Sequence, residues 1–149
     1  MSTDTGLSKK TTEELINEIK AAEDVDDFIE ENRNEMIEIS LAEYLNRLLN
    51  KYNVNKSDVF KKAGMSDTNY GYEIFRGDKI NVSRDKLIQI CVGFPLTYDE
   101  TQNVLRLGKV STLYPRVQRD AYIMFALKNN YDLYQLNDLL FEHGEELIV

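Results

Sequence analysis

Two observations in the sequence predict an all-α protein. Three segments carry the capping-box pattern of a helix N-terminus, a Ser or Thr followed three residues later by Glu: Thr11 to Glu14, Ser40 to Glu43 and Thr97 to Glu100. Apolar residues recur at helical spacing after each of them. The 149 residues and the 42% apolar content suit one compact domain, or a small domain with helical extensions.

Residues 1–39 are predicted to form an acidic N-terminal helical arm, with the first ten or so residues disordered. A helix is expected over about 12–22, followed by a shorter one from Asp24 to Asn32. Residues 1–40 hold twelve acidic and four basic residues. Such a segment is either a solvated acidic helix packed on the core, or a segment that competes with phosphate for a basic surface or docks another protein.

Residues 40–108 are predicted to form the core, beginning with a helix over 41–52. In Asn55 to Lys79, two short helical patterns pivot on Ala63-Gly64-Met65. Gly64 can adopt the positive φ that a sharp helix end requires, and Ser66 stands where the N-cap of the next helix is expected. That second helix is predicted at about 67–75. One side of the pair is apolar: Val59, Phe60, Ala63, Met65, Tyr70 and Ile74.

Two further helices complete the core. One begins near Ser83-Arg84-Asp85 and runs through Cys91, and the other follows Thr97 and carries Val104 and Leu107 on one side. The lone cysteine, Cys91, lies in an apolar stretch and is interpreted as a small core residue.

This order of parts resembles the Cro/repressor-type (XRE-like) helix-turn-helix family over roughly residues 40–108. The longer strings YGYEIFRGDKINVSRDKLI and LYPRVQRD are similar to a subgroup of small bacterial regulators with extra helices on both sides. The resemblance implies a repressor-like five-helix helix-turn-helix core and sequence-specific DNA binding in transcription regulation. The chain departs from the family pattern at Lys56-Ser57, where a Gln is usual, and at Phe75-Arg76-Gly77, where Glu-Arg-Gly is common.

If the helix at 67–75 reads the major groove, its polar face supplies the contacts. The candidates for base contact are Thr68, Asn69 and Tyr72, because Asn can pair with adenine through two hydrogen bonds. The candidates for phosphate contact, which would position the protein, are Lys56, Ser57, Arg76, Lys79 and Arg84. For Arg84, the alternative to a phosphate contact is a pairing with a nearby acid such as Asp85 or Asp78.

Charge is unevenly distributed along the chain. The formal net charge of -8 argues against a generic nucleic-acid binder, yet residues 41–93 hold nine basic and six acidic residues. The alternative function is a protein-protein interaction module on a helix-turn-helix scaffold that does not bind DNA. The acidic total, Asp67 and Glu73 on the reading face and the nine tyrosines support that alternative.

Residues 109–149 are predicted to form a C-terminal helical extension. Pro115 interrupts the pattern, and helices are expected from Arg116 to about Asn129 and from Asp132 to about His143. Their apolar surface needs a partner, which is either the chain's own core and N-terminal arm or a second copy in a homodimer, since readers of this type commonly bind paired half-sites.

Catalysis, cofactors and metals find no support among the motifs. The sequence has no Cys/His cluster with zinc spacing, no phosphate-binding glycine loop and no nucleophile motif. The only histidine, His143, stands beside Gly144, where a helix C-cap role is the simpler interpretation. No apolar run suits a membrane span or signal peptide, and a cytoplasmic protein with double-stranded DNA as its partner is expected.

Overall fold

The computed structural model describes residues 10–36 and 39–149, and in these ranges it is all-helical, with no strand. Within these ranges no helix is both long and apolar enough to cross a lipid bilayer. A turn of 3₁₀ helix, Arg33–Glu35, follows α2. The α-helices are α1 (Thr12–Ala21), α2 (Val25–Glu31), α3 (Leu41–Tyr52), α4 (Lys56–Lys62), α5 (Thr68–Arg76), α6 (Arg84–Val92), α7 (Tyr98–Leu107), α8 (Gln118–Lys128) and α9 (Leu133–Glu142).

The chain divides into two compact units, Met1–Ile39 and Ser40–Val149. In the first unit, α1 begins at the predicted capping box, where the Thr11 side chain accepts from the Glu14 amide. Lys10 bonds to the Glu18 carboxylate at 2.9 Å and to the buried Asn32 side chain, which in turn donates to Glu18 at 3.1 Å. These bonds tie α1 to the end of α2. Disorder was predicted for the first ten or so residues, and of these the structure describes only Lys10.

The second unit is built around α6. Every residue of α6 from Leu87 to Val92 is buried, and α6 packs against α4 and α7. The predicted capping boxes at Ser40 and Thr97 are both formed, so α3 and α7 begin where the sequence indicates. Cys91 is fully buried, as predicted, and burial raises the pKa of its thiol.

A buried carboxylate joins α3 to α7. Glu100, which also closes the α7 capping box, accepts hydrogen bonds from the Lys51 ammonium and the Tyr52 hydroxyl. Burial raises the pKa of Glu100, but the bonds from Lys51, Tyr52 and the Thr97 amide outweigh it, and the net pKa lies below the ordinary value. The carboxylate is therefore ionised in the fold at neutral pH.

The C-terminal helix pair packs on the rest of the second unit. Arg84 of α6 pairs with Asp120 of α8, and Arg119 of α8 pairs with Asp85 of α6 through two bonds of 3.0 Å. The Leu133 side chain lies directly against Gly64. Because the chain leaves Pro115 through a turn, α8 begins at Gln118 and not at the predicted Arg116.

Candidate functional site

The corner between α4 and α5 is formed by a glycine in the left-handed region. Gly64 has φ of +60°, the Gly64 amide bonds to the Lys61 carbonyl at 3.1 Å, and the Met65 amide bonds to the Phe60 carbonyl at 2.9 Å. These two bonds satisfy carbonyls that the end of α4 leaves open, and they bring Met65 back over Phe60, where both side chains are buried. The predicted role of Gly64 is confirmed.

The prediction that Ser66 caps α5 is wrong, because Asp67 is the N-cap. The Asp67 carboxylate accepts from the Tyr70 amide at 3.1 Å, and the helix runs over Thr68–Arg76, one residue later than the predicted 67–75. The bonds that end α4 extend through Met65, so Ser66 still belongs to the turn and lies exposed.

The corner is supported from beneath by α6. The buried Gln89 side chain donates to the Ala63 carbonyl at 3.0 Å and to the Gly64 carbonyl at 3.4 Å. Gly71 of α5 lies so close to α4 that an added methyl group would stand 2.6 Å from the Phe60 ring. No local feature of the sequence indicates either contact, and together they fix the orientation of α5.

Helical geometry sorts the side chains of α5 into two faces. Successive residues turn by about 100°, so Gly71, Ile74 and Phe75 share the inner face, and all three are buried. Asn69 and Arg76 project from the opposite face and are exposed, and Glu73, on that side as well, is partly covered. The outer face of α5 is therefore polar along its length.

The three residues predicted to contact bases differ in how firmly their side chains are held by the rest of the chain. Thr68 and Asn69 are exposed, and within the described part of the chain their side chains form no hydrogen bond. Tyr72 is half-buried, with its ring edge-on to Phe60 at 5.0 Å between centroids. Tyr72 is thus held in place, whereas Thr68 and Asn69 can turn to meet a ligand.

Lysines stand over tyrosine rings on both edges of the outer face. On one edge the Lys56 ammonium lies 5.9 Å from the centre of the Tyr72 ring. On the other edge Lys79 and Lys86 lie 5.7 and 5.9 Å from the centre of the Tyr70 ring. Cation–π attraction favours these positions. Lys86 was missed by the sequence reasoning, because its proximity to Tyr70 arises only from the packing of α6 against the helix-turn corner through α4.

Two of the other residues predicted to contact phosphate form bonds with side chains of the same chain. Arg76 forms an exposed ion pair with Asp78 at 2.9 Å. The Ser57 hydroxyl donates to the Asn55 side chain at 2.9 Å, which is itself the N-cap of α4. Both groups remain on the surface, where a stronger ligand can replace these partners.

Arg84 is engaged inside the second unit. Its three guanidinium nitrogens donate to both oxygens of Asp120, at 3.1 and 2.8 Å, and to the carbonyls of Ser111 and Thr112. The pairing with an acid that the sequence left open is formed, but the acid is Asp120 and not Asp85 or Asp78. These bonds leave Arg84 little capacity for phosphate, so it has no part in the candidate surface.

The candidate surface is therefore the outer face of α5 with its two lysine edges: Thr68, Asn69, Tyr70, Tyr72, Glu73, Arg76, Lys56, Ser57, Lys79 and Lys86. Asp67, Glu73 and Asp78 place three carboxylates on or beside it, so its charge is mixed.

Other reactive groups lie apart from this surface. His143 is the C-cap residue of α9, as interpreted from the sequence, and its ring also stacks on Tyr122 with centroids 4.3 Å apart. Among the residues that the structure describes, no group of His, Cys, Asp and Glu side chains has the arrangement of a metal site.

Comparisons of this chain with protein-family models, with curated proteins and with solved structures find no match.

Proposed function

We propose that the second unit is a sequence-specific DNA-binding unit of a transcriptional regulator, in which α5 lies in the major groove. In this proposal α3 to α7 form a five-helix core of the repressor type, with α4 and α5 as its helix-turn-helix. The observation that carries the proposal is the outer face of α5, where the unengaged Asn69 side chain lies between lysines on both edges and the exposed Thr68 stands at the first position of the helix.

The width of the major groove explains how a helix with lysines on both edges could bind DNA. A groove about 12 Å wide accepts one α-helix and has a phosphate backbone on each side. Lys56 on one edge, and Lys79 and Lys86 on the other, would each meet one of these backbones. The helix between them would present Thr68 and Asn69 to base edges, and Asn69 could hold adenine through two hydrogen bonds.

The rigidity of the corner supports the same proposal. Base readout requires side chains placed within a fraction of an ångström, which elements held by packing achieve better than free loops. Gln89 holds the end of α4 and the close approach of Gly71 to Phe60 sets α5 on it. The proposal places the protein in the cytoplasm, where the thiol of Cys91 stays reduced, and two copies on paired half-sites would read a two-fold symmetric operator.

The decisive experiment is selection of bound duplexes from a random DNA library at near-physiological salt, followed by titration of the selected site. Asn69→Ala should cost about 1–3 kcal/mol at the selected site and relax the preference at one base pair. Lys79→Ala should weaken binding to all sequences and flatten the salt slope by about one.

A matched control is Lys20→Ala, which removes the same charge from an exposed position of α1 in the first unit. It should leave the site preference and the salt slope unchanged. If Asn69→Ala and Lys79→Ala bound the selected site as tightly as the unmodified protein, α5 would not be the reading helix.

One observation favours the alternative, a protein-interaction module. The carboxylates of Asp67, Glu73 and Asp78 lie on or beside the outer face of α5, and Asp78 neutralises Arg76. Carboxylates are repelled by phosphate but can pair with a basic protein segment. An empty DNA selection with correctly folded protein would favour this function, and a selected sequence motif would exclude it.

A further inference from the structure

The second unit contains a cavity of about 470 Å³ between the N-terminal end of α7 and the side of α8. This volume lies within the roughly 300–1,000 Å³ that small-molecule sites occupy. Its most deeply buried lining residues are Thr101 and Leu113, and Tyr98 and Phe125 at its edge are about half exposed. The cavity therefore has a closed floor and an open, aromatic mouth.

The buried polar side chains at the floor are held by hydrogen bonds within the chain. The buried Gln102 side chain bonds to both backbone groups of Leu113, at 2.9 and 2.8 Å. It also donates to the Tyr98 hydroxyl at 2.9 Å, and the Thr101 hydroxyl donates to the Thr97 carbonyl. The part of a ligand that reaches this depth must therefore be apolar, since a polar group would lose its hydration without recovering hydrogen bonds.

The positive charge at the mouth of the cavity favours a ligand with an anionic group at its other end. Lys128, at the last position of α8, is the single charged residue that lines the cavity. It is exposed, and no residue in the described part of the chain forms a hydrogen bond or ion pair with it. An anionic group at the mouth would find a free ammonium group there.

We propose that this cavity binds a small monocarboxylate with an apolar body, of the medium-chain fatty acid class, with its chain between α7 and α8 and its carboxylate at Lys128. Such a molecule satisfies both the apolar floor and the cationic mouth. The inference is independent of DNA binding by α5, so either can fail without the other.

The methionines provide a local test. Met124 lines the cavity, whereas Met65 lies in the α4–α5 corner and Met36 in the first unit. In the full chain labelled with ¹³C at its methionine methyl groups, titration with decanoate below its micelle concentration should shift the Met124 resonance to saturation. The Met36 and Met65 resonances should stay in place.

Two further comparisons test the charge. Decyltrimethylammonium, which has the same chain with a cationic head, should bind at least tenfold more weakly than decanoate. Lys128→Ala should weaken decanoate about two- to fivefold, as for a partly exposed ion pair, without altering the affinity for uncharged decanol. Lys20→Ala is the charge-matched control and should change neither affinity.

Three outcomes would overturn the proposal. The first is a Met124 resonance that does not move, and the second is a parallel shift of all the methionine resonances, which marks unspecific surfactant binding. The third is equal affinity for the anionic and cationic ligands. Met124→Trp, which fills the wall of the cavity, should abolish the saturable binding of decanoate in calorimetric titration, while the unchanged Met65 resonance shows that the variant is folded.

Discussion

Two Arg–Asp pairs of similar length allow a buried ion pair with two bonds to be compared with an exposed ion pair with one bond. Arg84 and Asp120 are joined at 2.8 Å with side chains 24% and 5% exposed, whereas Arg76 and Asp78 are joined at 2.9 Å with side chains 56% and 61% exposed. The perturbation is the same in both pairs: Arg to Met, which keeps the apolar stem of the side chain without its guanidinium group, and Asp to Asn, which keeps the shape of the side chain.

The buried pair should respond strongly. Removing one partner of a buried pair costs about 3–5 kcal/mol because the other charge is left uncompensated. Since a quarter of Arg84 remains in contact with water, we expect about 2–4 kcal/mol for Arg84→Met or Asp120→Asn, scaled down from that range. In a unit of this size, this corresponds to a fall in Tm of roughly 8–16 °C. The exposed pair should lose less than about 1 kcal/mol.

The assay is urea unfolding of the full chain, followed both by circular dichroism and by thiol exposure of Cys91, which reports on the second unit alone. A double-mutant cycle isolates the pairwise energy. It should exceed about 1.5 kcal/mol for Arg84 with Asp120 and stay below about 0.5 kcal/mol for Arg76 with Asp78. Equal coupling energies in the two pairs would refute the argument that the buried, doubly bonded pair contributes more to stability.

Three further results are expected. Gly93→Ala should destabilise the second unit by about 2 kcal/mol or more, because the new methyl group would stand 2.3 Å from the Val59 carbonyl oxygen, a backbone atom that cannot rotate away. Glu100→Gln should lower the free energy of unfolding by about 1–3 kcal/mol at pH 7 through the weakened bond to Lys51. Because the pKa of Glu100 is lowered in the fold, its stabilisation is present above pH 4.5 and lost as pH falls through the folded pKa, so this difference should shrink in urea titrations below pH 4.5. Cys91 should react with a thiol reagent only as fast as the second unit opens, because its side chain is fully buried and burial also raises the pKa of the thiol.

Each of these results has its own control or contrary outcome. Gly144→Ala, where a methyl group would contact nothing within 4 Å, should cost only the left-handed backbone strain of about 1 kcal/mol. A Glu100→Gln effect that is constant between pH 7 and pH 3 would contradict an ionised Glu100. Rapid modification of Cys91 without urea would contradict its burial.

The helix positions could be predicted because their signals are local. A capping box spans four residues and an apolar face repeats every three or four, so the starts of α1, α3 and α7 follow from short stretches of sequence. Gly64 could be predicted for the same reason. The error at Ser66 is also local: two adjacent residues both suit an N-cap, and the bonds ending α4 decided for Asp67.

The hydrogen-bond and ion-pair partners of the basic residues could not be predicted, because these partners are distant in sequence. Arg84 meets an acid 36 positions later and two carbonyls of the loop before α8. Lys86 comes to Tyr70 only because α6 packs beside the corner. The outer face of α5, by contrast, followed from helical periodicity alone, and Asn69 and Arg76 lie on it as expected.

The pairing of Arg84 with Asp120 also sets an order of events during synthesis. At about 5–20 residues per second, roughly 2–7 s separate the addition of Arg84 from that of Asp120. Leu133, which covers Gly64 at the corner, is added later still. Until then the nascent chain has an arginine without its counter-charge and a corner open to water. The second unit therefore reaches its full set of contacts only when its last helices have been made, and a ribosome that stalls after residue 108 would display a unit without these contacts to chaperones.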